Sequence, residues 1–294
     1  MTCFSPIAID RRDKIDGLSN RLLVPCGQCL ACRINRRSDW SFRMHLESSY
    51  WSAVTFLTLT YDDEHLPMMQ VVSDDVPIYV PTLVKRDVQL YMKRLRKNLD
   101  GRSIKYFFSG EYGEHTFRPH YHAILYGVAH DADYDLLKSS WHKGNIMSLP
   151  VKDGSFDYVA GYVVDKVSGL FSDDFYLGRQ VPFCLSSQGL GLRVLDTLDC
   201  EQVFRDGYIV DCNGRHRPVP RYLLKHIARR IDLSAYDRSV VQYERNKESQ
   251  DAMKQYWFER GDNEFEMNRH VDESIRANID ILIKKTRQKL KGVL

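Results

Sequence analysis

The sequence predicts an α+β protein: an antiparallel central sheet flanked by helices, with a C-terminal helical extension. Two observations carry that expectation. The strand-like runs Ile104 to Ser109 and His120 to Tyr126 are joined by a turn-rich segment containing Gly110, Gly113 and Pro119, too short for a parallel crossover. Amphipathic helices interleave with such strands rather than following them in a block. The chain has 294 residues, 43% of them apolar, so it can bury a real core and is not intrinsically disordered. No apolar run is long enough for a membrane span, and the N-terminus lacks the order of a signal peptide, which leads us to expect no membrane partner and a cytosolic protein. The net charge of +3 neither requires nor excludes nucleic acid.

Three regions follow. In 1–52, a Cys-rich start precedes a helix near Arg33 to Met44, with Trp40 and Met44 on its apolar side and a basic opposite face. In 53–170, Thr55 to Tyr61 is β-branched and aromatic, hence a strand. Val84, Val88, Tyr91, Met92, Leu95 and Leu99 recur at spacings of three and four and mark a helix whose outer side is basic. After the two strands already named come a helix near Asp133 to Trp141, a strand near Ile146 and a helix from about Phe156 to Val167. In 171–294, the Gly- and Pro-rich stretch to Pro220 reads as irregular, and the remainder as helical, with a stripe from Val271 to Leu290.

Three sets of residues can do chemistry. In His120-Tyr121-His122, residues i and i+2 share one face of a strand, so both imidazoles can reach one ion. Glu111 on the hairpin partner would complete that set, with Glu114 second and His115 weaker; alone, the pair fits sheet packing as well as metal binding. Tyr158, Tyr162 and Lys166 lie one turn apart along one side of a helix, an arrangement that core packing also produces. Taken together, a His pair and paired tyrosines are what phosphotransfer through a phosphotyrosine requires: a cation polarises the phosphate and a phenol attacks it. Finally, Cys26, Cys29 and Cys32 supply three thiolates at C-x2-C-x2-C spacing. Cys3 could be the fourth ligand of a structural Zn²⁺, the alternative being reduced cysteines packing a turn. Cys184, Cys200 and Cys212 have no ligand spacing and are expected in the core.

Thr58-Leu59-Thr60-Tyr61, Arg118-Pro119-His120-Tyr121-His122 and Tyr158-x3-Tyr162-x3-Lys166 resemble, in order, the three motifs of the His-hydrophobic-His replication-initiation endonucleases. Met1-Thr2-Cys3, the run Pro25 to Arg33, Tyr61 to Pro67, Gly110 to Glu114 and Pro220-Arg221-Tyr222 narrow the resemblance to replication initiators of gokushovirus-type microviruses, phages with circular single-stranded DNA. It covers roughly residues 1–230.

The resemblance implies a rolling-circle initiator: a metal-dependent, site-specific endonuclease and strand transferase. One tyrosine would cut an origin strand, keep its 5′ end as a phosphotyrosine and leave a 3′-OH for a host polymerase and helicase. The second would cut the regenerated origin, and the displaced circle would reclose. Lys166 would steady phosphate charge or assist the phenol, making Tyr162 the stronger nucleophile of the two. Gly161 and Asp165 depart from the pattern, since related chains often carry Arg or Lys there. Two imidazoles and a carboxylate prefer Mn²⁺ on ligand chemistry and Mg²⁺ on abundance. Arg33, Arg36 and Arg37, with Lys93, Arg96 and Lys97, are candidate phosphate contacts, and the host's bacterial cytoplasm is the expected location. The rivals are a plasmid or transposon relaxase of the same chemistry and a non-catalytic DNA-binding or packaging protein with a structural metal.

Overall fold

The computed structural model describes residues 3, 5–10, 21–73, 76–113, 116–152, 154–165, 176–211 and 213–232, with single positions at 255, 259, 266, 269 and 273. Glu114, His115, Lys166, Cys212 and the stripe from Val271 to Leu290 lie outside the described residues. Two compact units are present, 1–227 and 228–294. In the second, positions 255, 266, 269 and 273 are helical.

The first unit is α+β. Five antiparallel strands form its sheet: β3 (Val54–Tyr61), β6 (Lys105–Tyr112), β7 (Pro119–Tyr126), β8 (Gly144–Pro150) and β9 (Phe183–Ser186), in the order β8-β3-β7-β6-β9. Hairpins β1–β2 (Ile7–Asp10, Arg21–Val24) and β4–β5 (Met68–Ser73, Val76–Pro81) lie outside the sheet, as does β10–β11 (Tyr208–Val210, His216–Pro218). The helices are α1 (Leu30–Ser48), α2 (Lys85–Asn98), α3 (Tyr134–Ser140), α4 (Ser155–Asp165), α5 (Cys200–Asp206) and α6 (Arg221–Arg230).

Alternation along the strands sends neighbouring residues to opposite layers. Leu57, Leu59, Tyr121, Ala123, Leu125 and Phe108 face α2, whose Val88, Tyr91, Met92 and Leu95 seal that side together with Leu137 and Trp141. Phe107, Ile124 and Tyr126 face the other way, against Met44 of α1 and Val159 and Ala160 of α4. Helix α1 is anchored by Glu47, which is fully buried. Its carboxylate accepts from Trp51 Nε1 and the Gly191 N–H, both at 2.8 Å, and pairs with Lys105 at 2.9 Å. Three donors satisfy that buried charge, so this end of the helix is fixed.

The elements expected in 53–170 are present. The irregular stretch to Pro220 is not what the sequence suggested: it contains β9, which pairs with β6 through Phe107↔Ser186 to Gly110↔Phe183, and also α5 and the β10–β11 hairpin. A four-residue edge strand held by its partner's hydrogen bonds needs no alternation of its own, so periodicity cannot show it. The β4–β5 hairpin was likewise invisible, because Val72, Val76, Ile78 and Tyr79 are all exposed and the burial of Val71 does not by itself make an alternating pattern. No helix among the described residues is long and apolar enough to cross a membrane.

Candidate active site

The register of the sheet assembles the site. His120 lies opposite Glu111 and Thr60, and His122 opposite Ser109 and Thr58, so these residues share the layer that α1 and α4 cover. Strand β6 continues three residues beyond the predicted end at Ser109, which carries Glu111 into the sheet beside the His pair.

His122, at 6% exposure, is held from every side. Its Nδ1 is 3.0 Å from Thr58 Oγ1 and its Nε2 is 2.7 Å from Glu111 Oε1. The ring stacks on Tyr162 at 4.9 Å and 11°, lies 6.0 Å from Phe56 at 24°, and meets the edge of Tyr158 at 5.5 Å. Thr58 orients the imidazole so that Nε2 faces the carboxylate, the outer contact that ligand histidines require. His120 is half-buried beside the turn, close enough to Gly113 that a Cβ there would sit 3.0 Å from its Cε1. Burial holds its pKa below the usual histidine value, partly offset by the charge of Glu111.

A carboxylate with two imidazoles on one face is a borderline donor set, of the type that takes transition-metal dications ahead of Mg²⁺. The ligand atoms of His120, His122 and Glu111 are nevertheless not all within 4.8 Å of one another, a spacing that among the described residues only the cysteines reach. In this arrangement the carboxylate bonds His122 directly.

The two tyrosines are placed differently. Tyr158 is 51% exposed and stands 5.8 Å from Phe56, at the rim of a cavity of about 280 Å³ lined also by Lys152, Ser155 and Leu149. Tyr162 is half-buried, 5.2 Å from Tyr158. Burial pushes the Tyr162 phenol well above the usual tyrosine range, and the charge of Glu111 and hydrogen bonds with Tyr158 and Glu111 push it the same way.

The remaining candidates are dispersed. Arg33, Arg36 and Arg37 lie on α1; a Cβ on Gly161 would be 3.8 Å from the Arg37 guanidinium carbon, so Arg37 reaches the tyrosine helix. Lys93, Arg96 and Lys97 are exposed on α2, which covers the other face of the sheet, away from the His pair. Tyr61, inside the first quoted motif, also points that way. Phe56 and Lys152 were not singled out from the sequence, and Thr58 was quoted there only as part of a motif; its place opposite His122 comes from the pairing of β3 with β7.

The cysteine cluster is compact. Cys3, Cys26, Cys29 and Cys32 bring their sulfurs within 4.8 Å of one another, and Cys3 Sγ lies 3.7 Å from Cys29 Sγ. That is too long for a disulfide and close to the ~3.8 Å between thiolates at the corners of a Zn²⁺ tetrahedron. N–H groups of Cys29 and Gln28 donate to Cys26 Sγ and hold its thiol low, while burial pushes that of Cys32 up to about 12. Gly27, at φ 76°, makes the turn that closes the knuckle. The donor set fits one tetrahedral metal ion. Cys184 and Cys200 are half-buried rather than core.

Residues 54–167 match a family model of replication-associated proteins, the ORF2 family. The chain is 31% identical to Replication-associated protein VP4 of Bdellovibrio phage phiMH2K over 67% of its own length and 65% of that protein's. It is 27% identical to Replication-associated protein ORF2 of Spiroplasma virus 4, over 76% of this chain and 72% of the relative. It is 28% identical to Replication-associated protein ORF4 of Chlamydia phage 1, over 71% and 54%. The chain thus spans just under two thirds of the length of the Bdellovibrio phage relative.

Proposed function

We propose that this chain, similar to replication-associated proteins of such phages, initiates rolling-circle replication. It nicks single-stranded origin DNA through a covalent 5′-phosphotyrosine and later rejoins the displaced circle, in the cytoplasm of the infected bacterium, alongside a host polymerase and helicase. The observation that carries this reading is the packing of two phenols, Tyr158 and Tyr162, on the ring of His122 beside Glu111.

In nicking, a phenolate oxygen attacks the scissile phosphorus. The Tyr–O–P bond forms, the P–O3′ bond breaks, and the 3′-oxygen takes up a proton; the reverse reaction joins ends. One phosphoester replaces another, so no ATP is consumed. A Mg²⁺ or Mn²⁺ ion held by His120, His122 and Glu111 would supply positive charge to the non-bridging phosphate oxygens. Thr58 holds His122 in register for that role. Glu111, which hydrogen-bonds with Tyr162, would take its phenol proton. Tyr158, open to solvent on its cavity, meets an incoming strand first, and Lys152 lies across that cavity to receive a neighbouring phosphate. Burial and the adjacent Glu111 charge both raise the Tyr162 phenol, and a cation held on Glu111 would oppose that charge. In the knuckle, a structural Zn²⁺ held by the four cysteines would tie residue 3 to the start of α1.

Incubation of the protein with labelled single-stranded origin DNA and Mn²⁺ tests this. A protein–DNA adduct that survives denaturation is expected. Metal-independent binding with no adduct would favour the rival of a non-catalytic DNA-binding protein.

A further inference from the structure

A larger concavity runs along α1. It is about 510 Å³, bounded by Gly27 of the knuckle, by α1 from Cys32 to Arg43 and by residues 217–224. Arg36, Arg43, Arg217 and Arg221 line it against one carboxylate, Asp39, which accepts from the Arg221 backbone N–H. Four guanidinium groups and a single acid make the cleft strongly attractive to anions.

Its walls are also flat. The Arg43 guanidinium is sandwiched between Trp40 at 4.1 Å and Tyr222 at 3.9 Å, and both its Nε and Nη2 donate to Leu190 O at 3.1 Å. Arg217 sits 5.0 Å over Phe42. Arg43 and Phe42 are buried and Trp40 also packs on Phe107 at 4.9 Å, so the half-buried Tyr222 ring and the ring-backed Arg217 are the planes on which an unpaired base can stack, with the exposed Arg36 and Arg221 beside them for phosphates. Planar slots together with anion-binding side chains match a nucleotide better than an acidic peptide, whose carboxylates need no flat wall. Arg36 lines the cleft, and the next residue, Arg37, lies near α4, its guanidinium carbon 3.8 Å from where a Cβ on Gly161 would be.

We propose that this cleft is a second single-stranded DNA site. It would hold a short run of the substrate strand with one base against Tyr222, the outer ring of the Trp40–Arg43–Tyr222 stack, and successive phosphates on Arg36, Arg217 and Arg221, the strand passing over Arg37 on its way to the tyrosines. The inference rests on single-stranded DNA being the substrate, not on the tyrosines being nucleophiles.

Fluorescence anisotropy with labelled oligo(dT) tests it on the full chain. Replacing Arg36, Arg217 and Arg221 together by Ser should weaken binding at least about tenfold and flatten the dependence of log affinity on log salt by about 2, the share of three phosphate contacts. The triple Lys variant should keep the unmutated salt dependence. Unchanged affinity and salt dependence in the Ser variant, or no oligo(dT) binding by the unmutated protein at low salt, would overturn the proposal. A second readout does not depend on the variants folding: photo-crosslinking of 5-iododeoxyuridine oligonucleotides to the unmutated protein should mark the peptide containing Tyr222 or Trp40. Crosslinks confined to other peptides would contradict it. Adduct formation by the unmutated protein decides the nicking reading separately, so either reading can fail without the other.

Discussion

Each face of the sheet meets a tyrosine pair, one on its own strands and one on α4, and the two pairs differ in what surrounds nearly identical phenols. Tyr61 and Tyr121, 5.8 Å apart, are sealed beneath α2: Tyr61 donates to Asp87 at 2.7 Å, Tyr121 Oη lies 2.9 Å from Tyr61 Oη and accepts from the Val84 N–H at 2.8 Å, and Lys143 pairs with Asp87 at 3.0 Å. Tyr158 and Tyr162, 5.2 Å apart, stand against His122 with one ring open to solvent. Each pair has a carboxylate at hand. On the α2 face that carboxylate is spent on a cation and a hydroxyl within a closed network. On the α4 face it lies beside two histidines, where a divalent ion and a phosphate can approach. A tyrosine becomes a candidate nucleophile here through access and neighbouring metal donors, and strand alternation decides which face receives them.

The largest expected effect separates the pairs outright. Tyr158→Phe with Tyr162→Phe should abolish adduct formation while leaving the melting temperature almost unchanged, since packing volume is kept. Each single variant should still form adduct but not complete nicking and closure. Tyr61→Phe should do the opposite: stability falls by about 1–3 kcal/mol because Asp87 loses a buried partner, and adduct per folded molecule stays the same. Denaturant unfolding alongside the adduct assay measures both, and a Tyr61→Phe protein that folds normally yet forms no adduct would erase the contrast.

Next in size, His122→Ala and Glu111→Gln should each lower Mn²⁺-dependent nicking by about 10²-fold or more, the loss expected when a ligand to a catalytic ion is removed. Full activity in either variant, read in single-turnover nicking, would end the metal reading of this face.

Much of this was legible in the sequence because it depends on short-range periodicity. His120 and His122 share a face by strand period, Tyr158 and Tyr162 a side by helix period, and the tight 104–126 connection implied an antiparallel pair. What was not legible depends on pairing between distant segments. Thr58 comes opposite His122 across 64 positions, and Leu190 accepts from Arg43 across 147. Helix spacing put Lys166 beside Tyr162, whereas the nearness of the Glu111 charge to that phenol depends on the pairing of β6 with β7.

A smaller effect concerns the knuckle. Cys26→Ser should cut the zinc content of purified protein, read by elemental analysis, from about one equivalent to a small fraction, and lower the melting temperature. No zinc in the unmutated protein would favour packed thiols. Smallest of all, Gly161→Ala should stabilise α4 by up to about 1 kcal/mol, because its Cβ meets Arg37 only at ordinary contact distance and Ala is the better helix former. Destabilisation in urea unfolding would mean that Arg37 needs the space.

The most direct measurement is mass spectrometry of the trapped adduct. Unmutated protein incubated with single-stranded origin DNA and Mn²⁺, then digested with nuclease and protease, should yield a nucleotide phosphodiester on the peptide carrying Tyr158 and Tyr162, with Tyr158 modified in the larger share. A nucleotide found on Tyr61, Tyr121 or any other residue, or none at all under conditions where the DNA is cut, would contradict the assignment of the α4 face as the nicking site.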